Sequence, residues 1–176
     1  IVVRLVGSEM CIRDSGNLLQ RVLSMIFKNC SGVMPALPAT AAPEDSALLD
    51  AADAMLGKVR AHMDVQSFHE ALRCIWEVVS DANKYVDTTS PWGLKKTDPV
   101  RMGEVLAVLA ETIRQAAILV QPVMPGSASK ILDQLGVADG QRGFDMLAGA
   151  GRIAAGVEIS KPEPVFPRFV EEEGEV

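Results

Sequence analysis

Apolar residues along this chain recur three or four positions apart, which is the spacing that predicts amphipathic helices. Five segments show this spacing, and we expect them to begin at Gly16, at Asp45 or Ser46, after Asp64, at Pro99 and near Ser127. The clearest apolar stripe belongs to the third segment, and its members are Phe68, Leu72, Ile75, Val79, Ala82 and Val86. Side chains with this spacing share one helix face, so the stripe is expected to point into a core.

Capping and breaking residues set the expected ends of these helices. Ser15 is available as the N-cap of the first helix, and the second helix is expected to end near Asp64. Asp98 followed by a proline is a typical helix start, so the fourth helix is expected to run from there to Gln121. The fifth helix is short and is expected to end before a glycine.

Two stretches lack helical spacing. Three prolines between positions 31 and 46 predict an extended loop across the surface. The region 137–170 is rich in glycine and proline and is expected to form an irregular strap, followed by an acidic tail at 171–176. The predicted fold is therefore all-α, an antiparallel bundle of four to five helices over residues 16–136 with an irregular C-terminal strap.

Composition narrows the class of protein. A hydrophobic fraction of 48% and a charged fraction of 23% are ordinary for one soluble globular domain. The formal net charge of -6 argues against a protein that coats nucleic acid by neutralising phosphates, and no DNA partner is expected. Any nucleic acid that this chain binds must therefore be recognised by a small local surface rather than by the overall charge.

A membrane span and a metal site are not expected either. The apolar stretch from Val105 to Met124 is interrupted by Glu111 and Arg114, well short of the roughly 20 apolar residues that a spanning helix needs. Three cysteines, an odd number, share no metal-ligand spacing with each other or with the two histidines. These features favour a reduced, cytoplasmic protein that holds no metal.

The sequence contains no recognisable catalytic constellation. It lacks a glycine-rich phosphate loop, a serine elbow and paired histidines at metal-binding spacing. Glu111 and Asp87 are isolated carboxylates, for which a solvated or capping role is favoured over acid–base chemistry. The chain is not expected to be catalytic by itself.

Two features are more specific, and the first lies on the first helix. Asn17 and Arg21 are four positions apart and so share a helix face, where an amide and a guanidinium can read base edges. Spacing alone favours the simpler interpretation, which is an exposed polar face.

The second feature is the segment SPWGLKK. Pro91 fixes the approach to Trp92, and Gly93 lets the chain turn away. Lys95 and Lys96 place positive charge beside the ring. A rigidly held ring suits stacking of an unpaired base, worth about 1–3 kcal/mol, with the lysines contacting backbone phosphate. The alternative, in which Trp92 covers the core and the lysines are solvated, is equally open from these residues.

Four segments, GNLLQRVLSMI, ANKYVDTTSPWGLKKTDPVRM, LAETIRQAAILVQPVMP and FPR, occur in this order and together resemble the C-terminal anticodon-binding domain of bacterial methionyl-tRNA synthetases. The likeness runs from Gly16 to about Phe169. It implies that four residues meet the CAU anticodon of methionine tRNA, at the matching positions Asn17, Arg21, Pro91 and Trp92. By this resemblance Trp92 stacks on the first anticodon base, while Asn17 and Arg21 hydrogen-bond to the anticodon bases.

The whole enzyme of that family activates methionine with ATP and magnesium and transfers it to tRNA, using a catalytic domain with HIGH-like and KMSKS motifs. Neither motif occurs in this chain, so the resemblance implies a fragment that recognises the anticodon and needs no cofactor of its own. The expected partners are the anticodon loop of methionine tRNA and the catalytic domain of the same enzyme.

Residues 1–15, IVVRLVGSEMCIRDS, resemble no part of that enzyme and fit no helix, signal or linker. We therefore expect a non-native leader, with a divergent native strap as the alternative. A different class of function also stays open: a helical protein-interaction module that does not bind RNA and docks through an apolar groove. In that case Trp92 and Lys95 would be dispensable for the interaction.

Overall fold

A computed structural model describes residues 9–147 and 149–166. The described part contains seven α-helices, which are α1 Glu9–Asn29, α2 Pro43–Asp53, α3 Met55–Asp64, α4 Phe68–Thr89, α5 Pro91–Thr97, α6 Pro99–Val120 and α7 Pro125–Gln134. Three short 3-10 turns follow, at Asp139–Gln141, Phe144–Met146 and Gly149–Gly151. The predicted all-α fold is confirmed, and the expected acidic tail at 171–176 lies outside the described residues.

The helix α6 forms the centre of the bundle. Every residue from Val105 to Val120 is buried, because α1, α2, α4, α5 and α7 all pack against this helix. The interpretation of this apolar stretch as a core helix is confirmed. Within the described ranges, no helix is both long and apolar enough to cross a bilayer.

The stripe predicted for α4 is correct over its last four members, whereas Leu72 is only partly buried and Phe68 is exposed. Ile75, Val79, Ala82 and Val86 are all buried against the rest of the bundle. Phe68 is 59% exposed, because it is the first residue of α4 and lies at the rim of the bundle rather than inside it. A periodic pattern gives the face of a helix but not how far along the helix the core extends.

Two predicted helix starts are wrong. The first helix begins at Glu9, not after Ser15, so residues 9–15 of the expected leader are helical, while residues 1–8 lie outside the described part. The second begins at Pro43, which takes the first helical position. Asp45 is therefore not the N-cap but the third residue of α2, where its carboxylate accepts a hydrogen bond from the backbone N–H of Ala42 (3.1 Å).

The segment predicted as one second helix is two helices, α2 and α3, which are separated at Ala54. Neither glycine nor proline marks this position, so local sequence gives no signal for the break. By contrast, the start predicted for α6 is confirmed, because Asp98 Oδ1 accepts a hydrogen bond from the N–H of Arg101 (2.9 Å) as a side-chain cap does.

Glu111 is not the solvated or capping carboxylate that the sequence favours. It is 0% exposed and accepts four hydrogen bonds, from Arg114 Nε (2.9 Å), Arg114 Nη2 (2.8 Å), Gln115 Nε2 (2.9 Å) and the backbone N–H of Ile153 (2.9 Å). Arg114 in turn donates from Nη1 to the carbonyl of Met146 (2.8 Å). This buried pair therefore attaches the irregular strap to the centre of the bundle, as the arrangement satisfies charges that would otherwise be too costly to bury.

Candidate nucleic-acid interface

Three helices place one charged pair and one aromatic ring together on the surface. Arg21 Nη2 on α1 donates to Asp87 Oδ1 on α4 across 3.0 Å, and Arg21 Cζ lies 5.7 Å from the centroid of the Trp92 ring on α5. That separation is within the range of a cation–π contact. We call the surface formed by Asn17, Arg21, Asp87 and Trp92 the α1–α5 face.

Trp92 is exposed although its backbone is anchored. The preceding Pro91 is buried at the first position of α5, while Trp92 keeps 53% of its surface exposed. A ring held in this way presents an apolar surface to solvent and is not a buried core side chain. Exposed aromatic surface on a fixed backbone is suited to stacking.

The turn that presents Trp92 is at Ser90, not at Gly93 as the sequence suggested. Ser90 adopts the left-handed conformation (φ 43°, ψ 59°) between α4 and α5, and its hydroxyl donates to the carbonyl of Asp87 (2.9 Å). A residue other than glycine in this region is uncommon and marks a backbone that its surroundings fix. Gly93 lies inside the short helix α5 instead.

The remaining predicted site residues flank this contact. Asn17 is exposed on α1, one helical turn before Arg21. Lys95 and Lys96 are exposed in the last turn of α5, three and four positions after Trp92. The structure thus brings Arg21 and Trp92 into direct contact, while Asn17, Lys95 and Lys96 lie about one helical turn along the same helices.

Asp87 is the member of the face that sequence reasoning set aside. In the sequence this carboxylate is isolated, because Arg21, the side chain it binds, is 66 positions away. The exposed placement is as expected, but the carboxylate fixes a guanidinium beside a ring. Its position three residues before Ser90, where the SPW segment begins, is the signal in the sequence that points to this role.

A second polar cluster, also missed, joins α2, α4 and α6. Asp45 Oδ1 accepts from the Tyr85 hydroxyl (2.6 Å) and from Arg101 Nη2 (2.7 Å), and its Oδ2 accepts from Arg101 Nη1 (2.6 Å). We call Asp45, Tyr85 and Arg101 the Asp45 cluster. Burial alone would raise the pKa of Asp45, but the hydrogen bonds from Arg101 and Tyr85 outweigh it, so the pKa lies below its ordinary value. Burial and the bond to Asp45 raise the pKa of Tyr85.

Other titratable and apolar features lie away from the face. His69 is exposed on α4, and Trp76 is partly buried against the core. In the ranges that the structure describes, no group of three or more His, Cys, Asp or Glu side chains is arranged to hold a metal. An apolar groove of about 250 Å³ lies between α3 and the start of α4, with Met63, Phe68 and Phe144 on its walls.

Comparison with known proteins gives one consistent result. A family model described as the anticodon binding domain of methionyl tRNA ligase matches residues 35–176. The methionine–tRNA ligase of Rhizobium meliloti (strain 1021) is 50% identical over 155 residues, covering 88% of this chain and 30% of the relative. That of Mycobacterium tuberculosis (strain H37Rv) is 47% identical over 161 residues, covering 89% of this chain and 30% of the relative.

Solved structures agree in fold as well as in sequence. Mycobacterium tuberculosis methionyl-tRNA synthetase in complex with methionyl-adenylate superimposes with a TM-score of 0.85 at 45% identity, covering 89% of this chain and 31% of the other. The apo form of the synthetase from the same organism gives a TM-score of 0.86 at 43% identity, covering 94% of this chain and 33% of the other. This chain thus spans about a third of the length of these relatives. Because the family model matches residues 35–176, which is most of the chain, the chain belongs to the anticodon-binding domain family of methionyl-tRNA ligases.

Proposed function

We propose that the α1–α5 face binds the anticodon loop of methionine tRNA and reads the bases CAU. The observation that carries the proposal is the exposed Trp92 ring with the Arg21 guanidinium beside it. Bases in an anticodon loop are unpaired, so their flat faces and their hydrogen-bonding edges are both open to a protein. A ring and a guanidinium fork side by side match these two kinds of surface.

Trp92 is assigned to stacking on the first anticodon base. Stacking of one base on an aromatic side chain contributes about 1–3 kcal/mol and does not depend strongly on the identity of the base. The ring is presented on a fixed backbone, so little conformational entropy is lost when the base arrives.

Arg21 and Asn17 are assigned to hydrogen bonds with anticodon base edges, which supply the selectivity that stacking lacks. The guanidinium of Arg21 has five N–H donors, and the bond to Asp87 uses only part of them. An exposed ion pair of this kind contributes only about 0–1 kcal/mol, so a base can compete for the donors that it does use.

Lys95 and Lys96 are assigned to the phosphate backbone next to the stacked base. Both are exposed on the last turn of α5. Because the chain as a whole carries a net charge of -6, attraction to RNA depends on such local cations. This arrangement favours recognition of one loop over general binding to nucleic acid.

The wider activity belongs to the longer proteins that this chain resembles. They are named methionine–tRNA ligases, and the chain spans about 30% of their length. We propose that the chain serves such an enzyme by recognising the tRNA, while the catalytic domain, with ATP and magnesium, charges it in the cytoplasm. The 176 residues alone are then expected to give no exchange of pyrophosphate with ATP and methionine, and detectable exchange would contradict this assignment.

The first experiment is a binding titration of the full chain with a stem-loop RNA that carries CAU, alongside an RNA with a changed anticodon. Trp92→Ala is expected to weaken binding of the CAU loop by about tenfold or more. Phe68→Ala is the matched control, because it removes an equally exposed aromatic side chain from the apolar groove.

Equal, salt-sensitive binding of both RNAs would contradict selective reading of CAU. Equal weakening by Trp92→Ala and Phe68→Ala would contradict the assignment of the site to the α1–α5 face. The alternative function, a protein-interaction module without RNA binding, predicts no binding of either RNA by the parent chain.

A further inference from the structure

We propose that the Asp45 cluster positions Trp92 for RNA, by holding together the two helix ends between which α5 lies. This inference rests on the proposed function, because it gives the Asp45 cluster a role in RNA binding without contact to RNA. Asp45, Tyr85 and Arg101 are therefore positioning residues.

The cluster joins both ends of the segment that contains α5. Tyr85 lies near the end of α4 and Arg101 is the third residue of α6, and both donate to the same carboxylate. Asp45 comes from a third helix, α2, and is 0% exposed. Three helices that share one carboxylate cannot slide or rotate against one another without breaking a buried hydrogen bond, which is costly.

Further hydrogen bonds carry this constraint to the residues that border α5. The carbonyl of Tyr85 accepts from the hydroxyl of Thr89, the last residue of α4, across 2.7 Å. The N–H of Arg101 donates to Asp98, which directly follows α5, across 2.9 Å. Each border of α5 is thus one hydrogen bond away from a member of the Asp45 cluster.

The helix α5 is too short to fix its own direction and relies on its packing against α6. It has seven residues, fewer than an isolated helix needs to be stable in water. Pro91 is its buried residue and Leu94 is partly buried against the core. The direction in which Trp92 points therefore depends on where the end of α4 and the start of α6 are held.

The hydrogen bonds of the Asp45 cluster fix the relative orientation of the helices as well as holding them together. Arg101 forms two parallel hydrogen bonds to the carboxylate, of 2.6 and 2.7 Å, and this fork defines an angle as well as a distance. An apolar contact of the same area would tolerate rotation. A lysine would keep the charge but not the fork.

The test compares two deletions of a buried hydroxyl. Tyr85→Phe removes the bond to Asp45, and Thr112→Val removes a bond of 2.9 Å to the carbonyl of Val108, in the middle of α6. Both are made in the full chain with Trp76→Phe, so that Trp92 is the only tryptophan. The Trp76 indole N–H has no hydrogen-bond partner in the described part of the chain, so this background change is expected to be mild.

Two measurements distinguish positioning of Trp92 from general stabilisation of the fold. They are the time-resolved fluorescence anisotropy of Trp92 and the affinity for the CAU stem-loop. Tyr85→Phe is expected to increase the local motion of Trp92 and to weaken binding about three- to tenfold at a temperature where the chain is folded. Arg101→Lys is expected to act in the same direction. Thr112→Val is expected to lower the unfolding temperature while leaving both readouts unchanged.

If Tyr85→Phe and Arg101→Lys lower only the unfolding temperature, as Thr112→Val does, the cluster is merely structural and the inference is wrong. Failure of the proposed function gives a different result, since the parent chain itself then fails to distinguish CAU from the changed anticodon. In that case the anisotropy of Trp92 still decides whether the cluster fixes the ring.

Discussion

Of the Arg–carboxylate pairs in the described part of the chain, two have similar lengths but opposite surroundings. Arg21 and Asp87 lie 3.0 Å apart with 42% and 68% of their side chains exposed. Arg114 and Glu111 lie 2.8 Å apart with 1% and 0% exposed. The same chemical groups therefore face water in one place and the core in the other.

The difference in burial determines what each pair can do. The hydrogen-bonding groups of the buried pair bind other groups of the same chain, including the backbone of Ile153 and Met146 in the strap. The pair therefore stabilises the fold and is not accessible to a ligand. The exposed pair is screened by water and contributes little to stability, so the N–H groups of Arg21 can donate to acceptors of a bound base instead of to Asp87. Burial, not residue type, separates a structural pair from one that can bind.

The largest effect is expected at the buried pair. Glu111→Ala leaves the guanidinium of Arg114 buried without its carboxylate, which should lower the free energy of unfolding by about 3–5 kcal/mol. Asp87→Ala is the matched change in the exposed pair and should cost less than about 1 kcal/mol. Urea denaturation followed by circular dichroism measures both, and equal losses would remove the distinction drawn above.

An intermediate effect is expected at the Asp45 cluster, and it should depend on pH. Since the pKa of Asp45 is lowered in the folded chain, its contribution to stability is present above the ordinary aspartate pKa of about 3.9 and is lost as the pH falls through the folded value. The charged and titratable groups that face it are Tyr85, Arg101 and Glu44.

The measurement is the unfolding temperature of the parent and of Asp45→Asn at several pH values. The variant should unfold at a lower temperature at pH 7, and the gap should narrow in acid, where the parent also loses the carboxylate charge. Asp133→Asn, which alters an exposed carboxylate, serves as the control. A gap that does not change with pH would contradict a role for the charged form of Asp45.

The smallest effect on stability, with a clear effect on binding, is expected at Arg21. Arg21→Met should change the free energy of unfolding by less than about 1 kcal/mol. It should nevertheless weaken binding of the CAU stem-loop by about tenfold, because a charge-assisted hydrogen bond to a base is lost. Lys28→Met removes an exposed cation from the same helix and is the control. If both variants weaken RNA binding equally, α1 attracts RNA only by charge, which would contradict a hydrogen bond from Arg21 to a base.

Local pattern was enough for most of the helices but not for their contacts. The stripe of α4, the burial of α6 and the Asp98 cap followed from periodicity and from one capping residue. The break at Ala54 did not, because it has no local signal. The burial of Glu111 was missed because the Arg114 and Ile153 groups that satisfy it meet only when the strap folds onto α6.

The sequence by itself determined that the chain is all-α, where the apolar faces lie, and that Asn17, Arg21, Pro91 and Trp92 are the residues to examine. The tertiary structure alone decided that Arg21 and Trp92 touch, that Asp87 holds the guanidinium and that Ser90 makes the turn. The physical reason is the distance along the sequence over which each kind of interaction acts. Helical periodicity and capping act over about four residues, whereas the contact between α1 and α5 joins side chains about seventy positions apart, and only the packing of whole helices around α6 brings them together.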